Sequence, residues 1–172
     1  MTRVIAFAPL IGRAPRVLVL GSLPSVASLA ANEYYAHPRN AFWRILASIT
    51  GCDAGAPYAA RTAAAERTGI AIWDVLAAAT RPGSLDTSID VKSATTNDFG
   101  TLLQRRRTLR LIVHNGQSSA ALYERLVIPR LDGRNLRLPR VTLPSTSPAN
   151  AGQSFEQKAA IWLATLRPAI ET

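Results

Sequence analysis

Four short stretches of the chain gather the side chains that could do chemistry. Gly21-Ser22-Leu23-Pro24-Ser25 offers two hydroxyls on a turn stiffened by proline, with backbone N–H groups able to face an anion. Tyr34-Tyr35-Ala36-His37-Pro38-Arg39-Asn40-Ala41-Phe42-Trp43 crowds an aromatic pair, an imidazole, a guanidinium and a carboxamide into one loop before a helix. Trp73-Asp74-Val75-Leu76 places a carboxylate after an apolar run, and Leu143-Pro144-Ser145-Thr146-Ser147-Pro148-Ala149-Asn150 adds hydroxyls and a second carboxamide. Spacing alone leaves several of these open to plainer readings. Asn40 also suits the N-cap of the helix that follows it, His37 a loop histidine satisfied by its neighbours, and Tyr35 a cover over the core. Phe42 and Trp43 read as core anchors.

The elements that must position these stretches follow from hydrophobic period. Short apolar runs at Arg16–Leu20, Ile70–Trp73, Arg110–Val113 and Arg140–Leu143 alternate with longer amphipathic segments at Asn40–Ile49, Pro57–Thr68, Asn97–Arg107, Ser118–Leu126 and Ser154–Leu166. That alternation predicts an α/β fold of three layers, α/β/α, around a mainly parallel four-stranded sheet. Asn97 is the expected N-cap of its helix, and Gly21–Arg39, Thr80–Thr96 and Pro144–Gln153 read as irregular. In such a sheet, loops leaving the carboxyl ends of the strands meet along one edge, which is where ligands bind. No repeat or linker interrupts the pattern, so residues 1–172 are expected to form one domain.

Composition narrows the function classes. One cysteine, Cys52, excludes an internal disulfide, a Cys-rich zinc site and a four-thiolate cluster. The N-terminal apolar run is short and broken by Pro9 and Pro15, and no stretch is long enough to span a bilayer, so a cytoplasmic protein without membrane contact is expected. The formal charge is +9, with 18 arginines against 2 lysines, a choice that favours forked contacts to phosphate oxygens and makes nucleic acid the leading partner.

GSLPS, YYAHPRNAFW, GIAIWDVL, RPGSLD, LIVHNGQ and LPSTSPAN, in that order along the chain, resemble the uracil-DNA glycosylase superfamily, and most closely its hypoxanthine-DNA (deoxyinosine) glycosylase branch. The resemblance implies a monomeric enzyme that uses neither metal nor cofactor. Its implied reaction is cleavage of the N-glycosidic bond of a deaminated base, uracil or hypoxanthine, in damaged DNA, leaving an abasic site as the first step of base excision repair. It also implies site roles. Asn40 matches the essential carboxamide of the HPRN stretch and becomes the catalytic candidate; Tyr35 matches the aromatic that stacks on the flipped base. Asp74 stands where uracil-specific relatives carry a base-reading Asn. Leu23 occupies the slot where many relatives hold water with an Asp or Asn, Leu143 replaces a base-contacting His or Asn, and Ser147 replaces a duplex-filling Leu. Ser22, Ser25, Ser145 and Ser147, with Arg39 at the rim, are the phosphate-binding candidates, and His37 and Asn150 complete the candidate pocket.

The chemistry of such a site can be stated without the family. A base inside a duplex must be flipped out to be reached, stacked and read at its edge. Its departure leaves oxocarbenium character on the sugar and negative charge on the base, so the site needs oriented donors and a held water. Uracil and hypoxanthine share a ring N–H beside a carbonyl, for which a carboxylate such as Asp74 is a matched acceptor; cytosine and adenine offer an unprotonated nitrogen there. The alternative is a module that binds uracil or abasic DNA with little turnover, because Leu23 and Leu143 remove two familiar catalytic groups. A serine hydrolase is disfavoured, since no G-x-S-x-G elbow is present.

Overall fold

The computed structural model describes residues 2–171. Its strands are β1 (Arg3–Ile5), β2 (Val17–Gly21), β3 (Ile70–Asp74), β4 (Leu76–Thr80), β5 (Asp90–Thr96), β6 (Leu111–Asn115) and β7 (Arg140–Leu143). The helices are α1 (Val26–Ala31), α2 (Phe42–Thr50), α3 (Tyr58–Arg67), α4 (Phe99–Arg105), α5 (Gln117–Leu126), α6 (Gly133–Arg137) and α7 (Phe155–Glu171). The four strands expected from the apolar runs form one parallel sheet in the order β3-β2-β6-β7. Register sets Gly21 beside Asp74 and Asn115 beside Leu143, so the carboxyl ends of all four strands share an edge.

Alternation along the strands builds two cores. Successive side chains point to opposite faces of a strand, and in β2 the residues Leu18 and Leu20 join Phe99, Leu103 and Tyr123 on the side of α4 and α5. Val17 and Val19 join Phe42, Leu46 and Trp162 on the side of α2 and α7. The central strand β2 and its neighbour β3 are buried along their whole length, which is why they read as continuous apolar runs. α7 opens with a reciprocal cap: Gln157 N donates to Ser154 Oγ (3.2 Å), and Ser154 N donates to Gln157 Oε1 (2.8 Å).

The structure corrects the sequence reading in three places. A second, antiparallel sheet in the order β1-β4-β5 occupies part of the stretch expected to be irregular. It is continuous with the first, because β3 and β4 are separated only by Val75. Within Gly21–Arg39, also read as irregular, α1 forms after GSLPS, with Ser25 as its N-cap. At α4 the cap is Asp98, whose carboxylate accepts from Thr101 N at 3.0 Å. Asn97 instead turns inward and donates through Nδ2 to the carbonyls of Asp74 (2.8 Å) and Leu76 (3.3 Å), clamping the bend at Val75. Among the described residues no helix is long and apolar enough to cross a membrane.

Trp162 links packing to the site edge: its ring is fully buried between α7, α2 and the sheet, and its Nε1 donates to Pro144 O at 2.9 Å. Trp162→Ala is expected to lower stability by about 3–5 kcal/mol through the cavity it leaves. Trp162→Phe, which keeps most of the ring, should cost about 1 kcal/mol for the missing hydrogen bond. Urea denaturation of the two variants checks the ordering.

Candidate active site

A cleft of about 410 Å³ opens at the carboxyl edge of the parallel sheet. Its walls include Ser22, Leu23, Ser25, Tyr35, Asn40, Asp74, Ser145, Ser147 and Asn150, so nine of the residues expected to form a site meet there. Three others stand apart. Leu143 is buried in the core shared with Phe42 and Trp162 and does not line the cleft. His37 and Arg39 lie outside the lining, with Arg39 exposed and its N–H donating to His37 Nδ1 at 3.1 Å.

The floor is the junction of β2 and β3. Asp74 is 3% exposed and faces Gly21, where an added Cβ would sit 2.4 Å from Asp74 Oδ1; glycine is required by this close approach. Asp74 Oδ2 is buried without a hydrogen-bond partner within the protein. Burial, reinforced by the nearby Asp86 carboxylate and partly offset by the Arg81 guanidinium, pushes the Asp74 carboxyl up to about 7.

Asp86 and Arg81, which shape the cleft, are not singled out by the sequence reading. Ser22 Oγ donates to Asp86 Oδ1 at 2.6 Å, which commits that hydroxyl to the carboxylate. Arg81 is 2% exposed; its guanidinium donates to the carbonyls of Leu23 (3.4 Å), Pro24 and Gly83 (3.0 Å) and lies 3.5 Å from Asp86 Oδ1. It thereby fastens the GSLPS turn to the RPGSLD turn. Both residues fall within RPGSLD, one of the stretches that carry the resemblance, which marks the region without revealing that the guanidinium turns inward. Ser25 is also committed, its Oγ accepting from Ser28 N at 3.1 Å as the cap of α1.

The aromatic loop supplies one wall. Tyr34 is anchored, donating its hydroxyl to Ala8 O (3.1 Å) and accepting at its carbonyl from Trp43 Nε1 (2.8 Å). Tyr35, held in the left-handed region at φ 55°, stacks on Phe42 with ring centroids 4.0 Å apart. Asn40 Oδ1 accepts from Phe42 N at 3.0 Å, so the carboxamide holds the first residue of α2 while standing in the cleft. The N-cap position itself is Ala41, so Asn40 braces the start of α2 from one residue further back than the sequence reading placed it.

The opposite wall, LPSTSPAN, is held by its middle. Asn115, at the end of β6, donates Nδ2 to Thr146 Oγ1 (2.8 Å) and accepts from Thr146 N (2.9 Å), while Thr146 O accepts from Ala41 N (3.0 Å). Thr146 thus joins the two loops that carry Asn40 and Ser147. Asn115 also lines the cleft, and its place at a parallel strand end is the signal that could have found it. Gly116 follows at φ +94°, where a Cβ would meet the Ser145 side chain at 2.9 Å.

His114 points away from this cleft. Ser119 Oγ donates to Leu20 O (2.8 Å), so His114 Nδ1, 3.0 Å from that oxygen, must carry the proton it shares with it. Burial, with Arg140 nearby, lowers His114 to about 4, leaving it neutral. Ser119 is not a nucleophile poised by a base. Among the described residues no group of three or more His, Cys, Asp or Glu could hold a metal ion.

A family model described as the uracil DNA glycosylase superfamily matches residues 9–166. The chain belongs to that superfamily. It is 37% identical over 140 residues to a hypoxanthine DNA glycosylase of Methanosarcina barkeri, covering 76% of this chain and 87% of that protein. To a hypoxanthine DNA glycosylase of Methanosarcina acetivorans it is 36% identical over 135 residues, covering 78% and 80%. A solution NMR structure of a M. acetivorans protein, provisionally described as a uracil DNA glycosylase, matches 99% of this chain and 100% of its own with a TM-score of 0.81 and 31% identity.

The pH dependence of stability follows from Asp74. An unfolded aspartate ionises near 3.8 and the folded one near 7, so the folded state binds the proton more tightly. That contribution is complete below pH 4 and is lost as pH rises through about 7. Asp74→Asn cannot ionise. Its stability relative to the parent chain should improve from pH 4 to pH 8, by at most about 4 kcal/mol. Denaturation curves at several pH values test this; a difference that stays flat with pH would remove the account.

Proposed function

We propose that this chain hydrolyses the N-glycosidic bond of a deaminated base in DNA, with hypoxanthine and uracil as its substrates, and that Asn40, Tyr35 and Asp74 do the work. The observation that carries the reading is the buried, unpartnered Asp74 Oδ2 in the same cleft as Asn40 and Tyr35. A buried acceptor without a partner is costly, and a ligand that brings a donor relieves that cost. The ring N–H created by deamination is such a donor. The names of the Methanosarcina relatives favour hypoxanthine as the first base to try.

In this reading the flipped base enters the cleft, stacks on the face of Tyr35 not covered by Phe42, and gives its ring N–H to Asp74. Asn40 uses the second lone pair of Oδ1, the first being taken by Phe42 N, to align a water at C1′. The bond from C1′ to the base nitrogen breaks with its electron pair leaving on the base. Water adds to C1′, and its proton is released to solvent or to the departing base. Leu23, buried at 6% exposure, forms an apolar wall in place of a water-holding side chain. Ser145 and Ser147 at the lip and Arg39 at the rim receive the phosphates. Ser22 and Ser25 support the turn through Asp86 and Ser28, and their part in phosphate binding falls to the backbone.

Single-turnover excision on oligonucleotides containing hypoxanthine, uracil or normal bases, followed by alkali, tests the activity. Asn40→Ala should slow excision at least a hundredfold and cost about 1 kcal/mol through loss of the hydrogen bond from Phe42 N. Asn40→Asp retains an acceptor for both Phe42 N and water, so it should recover stability and part of the rate; recovery of stability alone would leave Asn40 a brace for α2 and no more. For the N–H reading, excision should rise as pH passes about 7, where Asp74 ionises, and Asp74→Asn should flatten that rise and blur base discrimination.

A further inference from the structure

Little of this protein's positive charge sits at the cleft. Asp74 and Asp86 line it, Arg81 behind its wall is buried and engaged, and Arg39 alone of the site candidates puts an exposed guanidinium near the rim. The arginines instead concentrate at the opposite, amino edge of the parallel sheet. Arg13, Arg67 and Arg106, from the segment before β2, the end of α3 and the end of α4, line one surface groove of about 590 Å³. Arg107 and Arg134 line a neighbouring depression, with Arg134 Nη2 donating to Arg107 O at 2.8 Å, and Arg110 is exposed immediately before β6. Two carboxylates, Glu66 and Asp132, line the same two depressions. None of these six arginines takes part in the ion pairs found among the described residues.

Helix dipoles account for part of this placement: Arg67 and Arg134 lie in the last turns of α3 and α6. They do not account for Arg13, Arg107 and Arg110, which lie outside helices and converge on the same edge. Uncompensated guanidinium groups gathered from several chain segments form a surface matched to a row of phosphates.

We propose that this amino edge is a second DNA-binding face, which grips the phosphate backbone of one duplex segment while the cleft works on another. The geometry requires a separate segment. The strands between the two edges are five residues long in β2, β3 and β6, about 17 Å of rise, and duplex DNA is too stiff to fold back around so small a body within a few base pairs. The face supplies the long-range attraction to polyanion that the acidic cleft lacks, so it holds the enzyme on DNA between encounters with damage.

The test uses the full chain and a variant carrying Arg13→Gln, Arg67→Gln and Arg106→Gln. The slope of log affinity for undamaged duplex against log salt should fall by between two and three, about 0.9 for each phosphate that an arginine no longer neutralises. In a sandwich assay, protein held by a short immobilised duplex should capture a second labelled duplex, and the variant should not. Excision from a short oligonucleotide at saturating enzyme should stay within twofold. A second variant, Arg107→Gln with Arg110→Gln, should lose capture in the same way if the triple variant fails to fold. Unchanged slope and capture in a folded variant overturn the proposal. So does capture of the protein by phosphatidylserine vesicles, abolished in the variant, with no second duplex held. The outcomes separate from the glycosylase reading, on which the cleft's part in this proposal rests: capture without excision defeats only that reading, and excision without capture defeats only this one.

Discussion

Arg81 takes a permanent positive charge into the interior, and the carbonyls and carboxylate that satisfy it determine the shape of the cleft. A buried guanidinium without partners would cost several kcal/mol, so the turns around it must present acceptors. Leu23 and Pro24 do so from one turn, Gly83 and Asp86 from the other. Burial is the main cause of the raised proton affinity of Asp74; the same cluster holds Asp86 close enough to add to it, while the Arg81 guanidinium partly offsets it. Removing either acid would alter the other, and each should be read as half of a pair.

A second constraint works through Thr146. Its backbone and side chain satisfy both ends of the Asn115 carboxamide, and its carbonyl receives Ala41 N beside Asn40. The catalytic candidate is thus positioned from two sides: by its own hydrogen bond to the start of α2, and by a loop that Lys158 and Trp162 of α7 hold through the carbonyls of Asn150 and Pro144. Sites positioned by rigid elements in this way keep their geometry without a bound ligand.

The parallel sheet was legible because β2 and β3 are buried on both faces, so Val17–Leu20 and Ile70–Trp73 are runs that no amphipathic helix would carry. The second sheet was not. β4 is rich in alanine, β5 mixes polar residues with partial exposure, and β1 is three residues long, so none shows a clear period. The site was legible where polar residues follow strand ends, as at Ser22 and Asp74, and Asn115 obeys the same rule. Arg81 could not have been read, because its partners are mostly main-chain carbonyls, which leave no trace in residue types. Leu143 was assigned to the cleft by motif position, whereas the pleat turns it into the core beside Trp162.

The path from Ile70 to Thr80 runs through both sheets with only Val75 between them, and Val75 N and Leu76 N donate to the carbonyls of Gly21 and Ser22. The floor of the cleft is therefore tied into both sheets, and its amide protons should be among the last to exchange with solvent. The lips are different in kind: Ser84, Leu85 and Thr87 on one side and Ala149 on the other are exposed. Opening of the cleft should therefore begin at these lips, with the carboxylate at the floor keeping its place as the margins move.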